Sequence, residues 1–210
     1  MSKISFVYFD VGGVAIQDFS DSPKWDTMLH DMGLTQFDRA EVDSIYDYYE
    51  DEIVLGDRHV DTLLSIYTSR FGITFPIGFS MQKYFLDHFD PNPKLRDLVI
   101  KLKETIRVGL LTDQYPDLLD GIFEGGLLTK GDWDAIIDSS ILGIRKPMQE
   151  IYQIAQDRAG VLPSEILFID NRKKNLVPAT SLGWQTFFYD SKDYEKSNRN
   201  LAEFLDLSGK

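Results

Sequence analysis

Short apolar segments that alternate with helical patterns are the feature that most constrains the fold of this chain. Two amphipathic helical patterns occupy residues 95–102 and 151–155, the second behind Pro147, which suits the first turn of a helix. Strands separated by such helices form a parallel sheet covered on both faces. We therefore predict an α/β fold with a Rossmann-like parallel sheet. Its strands should lie at residues 4–9, 107–111, 135–137, 166–169 and 184–188.

A strongly acidic segment separates the first two of these strands. Residues 17–91 hold 15 acidic and 5 basic residues, whereas the rest of the chain holds 19 and 17. Helical spacing without a strand period runs through residues 24–32, 37–53, 58–71 and 79–89. We predict that residues 17–91 form a helical insertion and that residues 1–16 and 92–210 form the α/β core.

The composition excludes several classes of protein. The formal net charge of −12 argues against a nucleic acid partner and against an anionic membrane, because both are bound by clusters of Lys and Arg. The absence of cysteine excludes disulfides, thiolate zinc sites and a cysteine nucleophile. Asp10 ends the N-terminal apolar run early, so we expect neither a signal peptide nor a membrane span and predict a cytoplasmic protein. The oligomeric state is left open.

Polar side chains follow three of the predicted strands. Asp10, Thr112 and Asp170 each stand where an apolar run ends. Ligands of open α/β sheets bind outside the carboxyl ends of the strands, so these side chains should converge on one site. Taken singly, each residue has a structural explanation, because Asp and Thr are common in turns and at helix N-caps.

Four motifs in order along residues 4–188 resemble those of the haloacid dehalogenase superfamily. They are Asp10-Val11-Gly12-Gly13-Val14, Leu110-Leu111-Thr112, Arg145-Lys146-Pro147, and Ile169-Asp170-Asn171 with Asn175 and Gly183-Trp184 behind it. The resemblance implies a phosphatase-like hydrolase of that superfamily. The acidic helices occupy the place where its members carry a helical cap domain, directly after the first motif.

The resemblance also implies a role for each motif residue. Asp10 would attack phosphorus and form an aspartyl-phosphate, while Thr112 and Lys146 would bind and neutralise the phosphate. Gly12, Gly13 and Asp113 would complete the substrate-binding loops. The implied cofactor is Mg²⁺, and its implied ligands are Asp10, the Gly12 carbonyl, Asp170 and Asn171. Asn175 would support this metal shell.

Three positions depart from the pattern of fully active phosphatases in that superfamily. Most members carry an acid at the position of Gly12, and that acid protonates the leaving group. Without it we expect a preference for phosphates that have a good leaving group, such as acyl, aryl and sugar 1-phosphates. One of His30, His59 and His88 is the alternative proton donor. Asn171 brings no charge, so magnesium affinity should be weaker. Asp113 either faces the phosphate or caps the next helix, and we favour the cap.

Other residues have both a functional and a structural interpretation. The aromatic side chains of the insertion either stack on a substrate or pack within the insertion, and packing is the favoured alternative; they are Trp25, Tyr46, Tyr48 and Tyr49. The basic run Arg172-Lys173-Lys174 either draws anions towards the site or forms a solvated helix face.

Three functions remain open. The leading hypothesis is a magnesium-dependent phosphomonoesterase acting on a small phosphorylated metabolite. A catalytically weakened protein that binds a phosphorylated ligand or a partner is the second. Carbon–halide hydrolysis through an ester on Asp10 is the third, although Asp170 argues against it because dehalogenases of the superfamily usually have uncharged groups there.

Overall fold

The structure, a computed structural model, describes residues 3–207. The predicted core ranges 1–16 and 92–210 therefore include five residues, 1, 2 and 208–210, that lie outside the described residues. The strands of residues 3–207 are β1 (Phe6–Phe9), β2 (Ile16–Gln17), β3 (Asp90–Pro91), β4 (Arg107–Thr112), β5 (Ala135–Asp138), β6 (Ile166–Asp170) and β7 (Gln185–Phe188).

The helices of the same part of the chain are α1 (Lys24–Asp31), α2 (Arg39–Val54), α3 (Thr62–Phe71), α4 (Met81–His88), α5 (Pro93–Leu102), α6 (Leu118–Glu124), α7 (Ser139–Leu142), α8 (Gln149–Ala159), α9 (Lys173–Ser181) and α10 (Tyr194–Phe204). Between residues 3 and 207, no helix combines the length and the apolar composition that a bilayer-spanning segment requires.

Five strands form the central sheet in the order β5-β4-β1-β6-β7, and every neighbouring pair is parallel. Successive residues of β1 belong to different apolar clusters. Val7 and Phe9 pack with α5 and α10, whereas Phe6 and Tyr8 pack with α8 and α9. This alternation follows from the two-residue period of a strand and shows that helices cover both faces. The predicted α/β class is confirmed.

Each predicted strand is present, with ends shifted by one or two residues. The prediction for Pro147 was wrong, because α8 begins at Gln149 behind the flanking residue Met148. Pro147 therefore precedes the helix instead of lying in its first turn, and its peptide bond with Lys146 is cis.

Four helices, α1 to α4, fill the chain between β2 and β3, as the acidic segment predicted. The two short strands pair in antiparallel register, with Ile16 opposite Pro91 and Gln17 opposite Asp90. The chain therefore leaves and re-enters the α/β part at adjacent points. Apolar residues of all four helices, such as Met28 and Tyr67, join the same cluster as one face of the sheet.

The end of α2 is fixed to the start of α7, which directly follows β5. The Ser139 hydroxyl donates to the Val54 carbonyl at 2.7 Å and accepts from the Gln114 N–H at 3.0 Å. Gly56, just beyond α2, has φ +89°, and a Cβ there would lie 2.1 Å from the Ser140 carbonyl oxygen. These contacts join the helical insertion to the sheet near the carboxyl ends of the strands.

Candidate active site

The polar residues at the strand ends converge, as their positions in the sequence predicted. Asp10 directly follows β1, while Thr112 ends β4 and Asp170 ends β6. Because β1 lies between β4 and β6, the three side chains lie at one edge of the sheet. All three residues are buried, Thr112 and Asp170 completely and Asp10 with 7% of its surface exposed.

Lys146 joins the two aspartates. Its Nζ lies 2.9 Å from Asp10 Oδ1 and 2.8 Å from Asp170 Oδ2, and it also donates to the Leu111 carbonyl at 3.1 Å. Burial by itself lowers the pKa of the Lys146 ammonium, but the carboxylates of Asp10, Asp170 and Asp113 raise that pKa above its ordinary value. The cation that these two carboxylates share in the structure is therefore the lysine ammonium.

Asp10 is held in place by the backbone of the next residue and by Lys146. Its Oδ1 accepts from the Val11 N–H at 2.8 Å as well as from Lys146. Burial raises the pKa of the Asp10 carboxyl, and the Lys146 ammonium opposes that rise. Gly13 has φ +74°, and a Cβ there would lie 2.0 Å from Asn171 Nδ2, so the turn needs glycine for its backbone and for space.

Asp170 is surrounded by donors. Its Oδ1 accepts from the Arg172 N–H at 2.6 Å, and the Asn175 amide reaches both carboxylate oxygens, at 3.2 and 3.0 Å. The supporting position expected of Asn175 is thus present. Asn171 Oδ1 and Asn175 Oδ1 are buried without a hydrogen-bond partner within the described chain. An unpaired buried amide oxygen is costly, so it marks a place where a further ligand fits.

Asp113 does not cap the next helix, so that prediction was wrong. α6 begins at Leu118, and Asp113 Oδ1 instead accepts from the Lys146 N–H at 2.9 Å. Its Oδ2 lies 3.9 Å from Arg145 Nε. Asp113 therefore positions the Lys146 segment. Thr112 Oγ1 accepts from Gln114 Nε2 at 3.0 Å.

A cavity of about 270 Å³ opens at this edge of the sheet. Asp10, Gly12 and Lys146 line it from the α/β part, and Trp25 and Tyr46 line it from the helical insertion. The two rings pack edge-on against each other with centres 4.8 Å apart, as the favoured packing alternative predicted, and they also contribute aromatic surface to the cavity beside the strand-end charges.

The other two aromatic candidates are placed elsewhere. Tyr48 is largely exposed, and Tyr49 packs against Tyr48 and lies under the Arg58 guanidinium, 4.4 Å from its ring centre. His30, His59 and His88 are absent from the lining of the cavity. All three residues of the basic run are exposed; Arg172 also lines the cavity, whereas Lys173 and Lys174, at the start of α9, do not.

Asp18 and Arg145 are two residues of this site to which the sequence assigned no role. Arg145 forms ion pairs with Asp51 and Glu50 of α2 and with Asp113, and so links insertion and core. Asp18 lines the cavity beside Gly12, and burial raises the pKa of its carboxyl against two hydrogen bonds from Ser20. The sequence does offer one indication of Asp18, an acidic residue in the same loop as Gly12. Its spacing from Asp10 matches no helix or strand period, so that spacing does not predict where the Asp18 side chain lies.

The fold and this site together define an α/β protein whose candidate ligand site lies at the carboxyl edge of a parallel sheet. The sequence profile of the haloacid dehalogenase-like hydrolases matches residues 7–183. That match covers most of the chain, which therefore belongs to this family, as the four motifs predicted.

Solved structures share the fold at low sequence identity. A haloacid dehalogenase family enzyme from Bacteroides thetaiotaomicron superimposes with a TM-score of 0.75 at 20% identity, over 90% of this chain and 95% of that one. A predicted member of the family from Porphyromonas gingivalis gives 0.72 at 20% identity, over 95% and 98%. The L-2-haloacid dehalogenase of Xanthobacter autotrophicus gives 0.62 at 20% identity, over 89% and 77%. The Bacteroides enzyme has also been solved with magnesium and inorganic phosphate.

Similarity to a curated protein covers only part of the chain. Acyl-CoA dehydrogenase family member 10 of Mus musculus is 36% identical over 63 residues. The match spans 30% of this chain and 6% of the mouse protein.

Proposed function

We propose that the protein is a magnesium-dependent phosphomonoesterase that hydrolyses a small phosphorylated metabolite through an aspartyl-phosphate on Asp10. The observation that carries this proposal is the placement of Asp10. Its carboxylate is ion-paired to the buried Lys146, lies at the carboxyl edge of the sheet and lines the cavity. The carboxylate is the reactive form of this nucleophile, and the ion pair with Lys146 favours that form against the effect of burial.

The neighbours of Asp10 have defined roles in this reaction. Lys146 and the Val11 N–H hold Oδ1, which orients the carboxylate for attack through Oδ2. The Lys146 ammonium also offsets the negative charge of the phosphate. Thr112 Oγ1 accepts from the Gln114 amide, so the proton of its hydroxyl is not used in that bond and is assigned in this proposal to a phosphate oxygen. Asp113 and Asn175 position Lys146 and Asp170.

The oxygen atoms of the site fit a magnesium ion. Within residues 3–207 no three His, Cys, Asp or Glu side chains cluster as a metal site, so carboxylates alone do not form the ligand set. Asn171 Oδ1 is a buried amide oxygen without a partner inside the described chain, and hard cations accept such oxygens. The proposed ligands are Asp10, the Gly12 carbonyl, Asp170 and Asn171. Magnesium supplies positive charge that lets an anionic nucleophile approach a phosphate.

Residues 17–91 act, in this proposal, as the cap domain that selects the substrate. Trp25 and Tyr46 give the cavity two aromatic walls, suited to the body of a sugar or of another ring. The segment carries 15 acids against 5 bases, which disfavours substrates with several phosphate groups. Exclusion of water by these helices strengthens the electrostatic interactions of the site.

The test is a panel of phosphate monoesters assayed with and without magnesium. We expect magnesium-dependent release of phosphate by the wild type and loss of turnover in Asp10→Asn, a nearly isosteric change that leaves the fold intact. Asp87→Asn, on the exposed face of α4, is the matched control and should behave as the wild type.

Each alternative predicts a different result in the same assay. Activity of Asp10→Asn within a few-fold of the wild type would exclude Asp10 as the nucleophile. Release of halide from a 2-haloacid without magnesium would identify a dehalogenase. Binding of beryllium fluoride and magnesium with no turnover of any ester would identify a phospholigand-binding protein.

A further inference from the structure

The leaving oxygen of a phosphate ester needs a proton, and Gly12 has no side chain to supply one. When the bond between phosphorus and an alkyl oxygen breaks, its electron pair stays on that oxygen, and an alkoxide is a poor leaving group. The donor must line the cavity near Asp10 and must not be bound in an ion pair.

The Asp18 carboxylate occupies the space that a side chain at position 12 would fill. A Cβ built on Gly12 would lie 2.3 Å from Asp18 Oδ2 and 3.1 Å from its Cγ. The backbone of Gly12 has a φ that other residues also adopt. The glycine therefore matters for the space that its missing side chain leaves, and not for its backbone conformation. Two hydrogen bonds from Ser20 hold the carboxylate, the N–H to Oδ1 at 2.9 Å and the hydroxyl to Oδ2 at 3.2 Å.

Asp18 also differs from the other carboxylates that line the cavity. Those carboxylates are engaged by cations within 4.0 Å: Asp10 by Lys146, and Asp113 and Glu50 by Arg145. Asp18 forms no such ion pair with any residue of the range 3–207. Arg172 and Lys24, the latter paired with Asp90, act on Asp18 without a direct ion pair, so no cation in contact holds its carboxyl group ionised.

We propose that Asp18 is the general acid and base of the reaction, a role that the sequence left without a residue. The proposal rests on the proposed function. In the first step Asp10 Oδ2 bonds to phosphorus, the ester bond breaks, and the leaving oxygen takes its electron pair and the proton of the Asp18 carboxyl. In the second step water bonds to phosphorus and gives a proton back to Asp18, while the pair of the breaking bond returns to Asp10. The sum is ester plus water to alcohol plus phosphate.

The first test compares Asp18→Asn with the wild type on two kinds of ester. The amide keeps an oxygen for the Ser20 N–H, so the loop is retained while the transferable proton is lost. We expect turnover of an alkyl phosphate such as glycerol phosphate to fall about 10²–10⁴-fold. Formation of the phosphoenzyme from 4-nitrophenyl phosphate should change little, because nitrophenolate leaves without a proton.

The second readout is the phosphoenzyme itself. Because Asp18 also activates the water, Asp18→Asn should release one equivalent of nitrophenol in a burst and then stall. The protein quenched in acid should carry one added phosphoryl group on Asp10 by intact mass and peptide mapping. Asp26→Asn is the matched control, because Asp26 lies in the following helix α1, is exposed, and pairs with Arg39 outside the cavity.

A reciprocal variant tests the placement of the carboxyl group. Gly12→Asp alone should be poorly active because its Cβ collides with Asp18. Gly12→Asp combined with Asp18→Gly moves the carboxyl to the other side of the same space and should recover alkyl phosphatase activity at least 10-fold over Asp18→Asn.

The failures of the two proposals are distinguishable. If Asp18→Asn lowers alkyl and aryl turnover by the same factor without accumulating phosphoenzyme, Asp18 is a structural residue and this inference is wrong, while the phosphatase assignment stands. If the wild type hydrolyses no ester and forms no phosphoenzyme, both proposals are overturned together. A wild type that hydrolyses alkyl phosphates as readily as aryl phosphates supports Asp18 over the preference expected from Gly12 alone.

Discussion

Replacing Lys146 with Met tests whether the buried lysine holds the two strand-end aspartates together. The ammonium lies 2.9 Å from Asp10 and 2.8 Å from Asp170, and its side chain is only 1% exposed. Methionine keeps most of the length of the chain and removes the charge. Two carboxylates are then left buried without their shared cation.

The size of the effect follows from these distances. Each contact corresponds to about 6 kcal/mol of attraction at an effective dielectric constant of about 20, and the cost of burying three ions offsets much of it. Without Lys146, two carboxylates within about 6 Å of each other repel by about 3 kcal/mol. Uptake of a proton by Asp10 limits the loss, because the neutral carboxyl group no longer repels Asp170. We expect the free energy of unfolding to fall by about 3–4 kcal/mol, or Tm by about 6–16 °C.

The loss should grow with pH. The Lys146 ammonium lowers the pKa of Asp10 against burial, so its removal raises that native pKa further above the unfolded value of about 4. Between these two pKa values the native variant holds more protons than the unfolded chain, so its stability falls as pH rises. The pKa of Asp10 in the wild type is itself raised to about 8, so the two proteins diverge only above that pH, and the difference between them should be smaller at pH 7 than at pH 9.

Urea unfolding at both pH values measures these quantities. In an Asp170→Asn background, Lys146→Met should cost less, because one of the two carboxylates has become neutral. Lys83→Met is the control, since Lys83 pairs with Asp87 on the exposed face of α4 and should change stability by less than about 0.5 kcal/mol. A loss below about 1 kcal/mol, or one that is equal at both pH values, would refute the reasoning.

Two further predictions concern the junction between the helical insertion and the core. Ser139→Ala leaves without a partner the two buried backbone groups that the Ser139 hydroxyl binds. The free energy of unfolding in urea should fall by about 2–3 kcal/mol, against less than about 0.5 kcal/mol for the exposed control Ser69→Ala. Equal losses for the two variants would contradict this prediction. Gly56→Ala introduces a Cβ that collides with backbone, at a residue whose φ is +89°. We expect it to lower Tm well beyond Gly33→Ala, because Gly33 has a similar φ of +72° but open space around it. Similar shifts of Tm for the two variants would show that backbone strain alone decides the cost.

The local pattern of the sequence predicted most of the fold. Asp10, Thr112 and Asp170 each follow a short apolar run that the sequence alone indicates to be a strand. The helical patterns between these runs predict that the strands pair in parallel, as the sheet shows. The predicted helices of residues 24–89 are present with ends shifted by at most four residues, because their apolar spacing is local. The end of a helix depends on capping contacts, which is why Pro147 and Asp113 were assigned wrongly.

What the sequence determined by itself is the order of strands and helices, the family, and the residues that stand at the strand ends. These properties depend on the period of apolar residues and on short motifs, which are local along the chain. The tertiary structure alone decided which side chain enters the space beside Gly12, which cation lies between Asp10 and Asp170, and which aromatic residues line the cavity. Each of these contacts joins segments that are far apart in the sequence or that belong to an irregular loop. Only the packing of the whole molecule sets the distance between such segments.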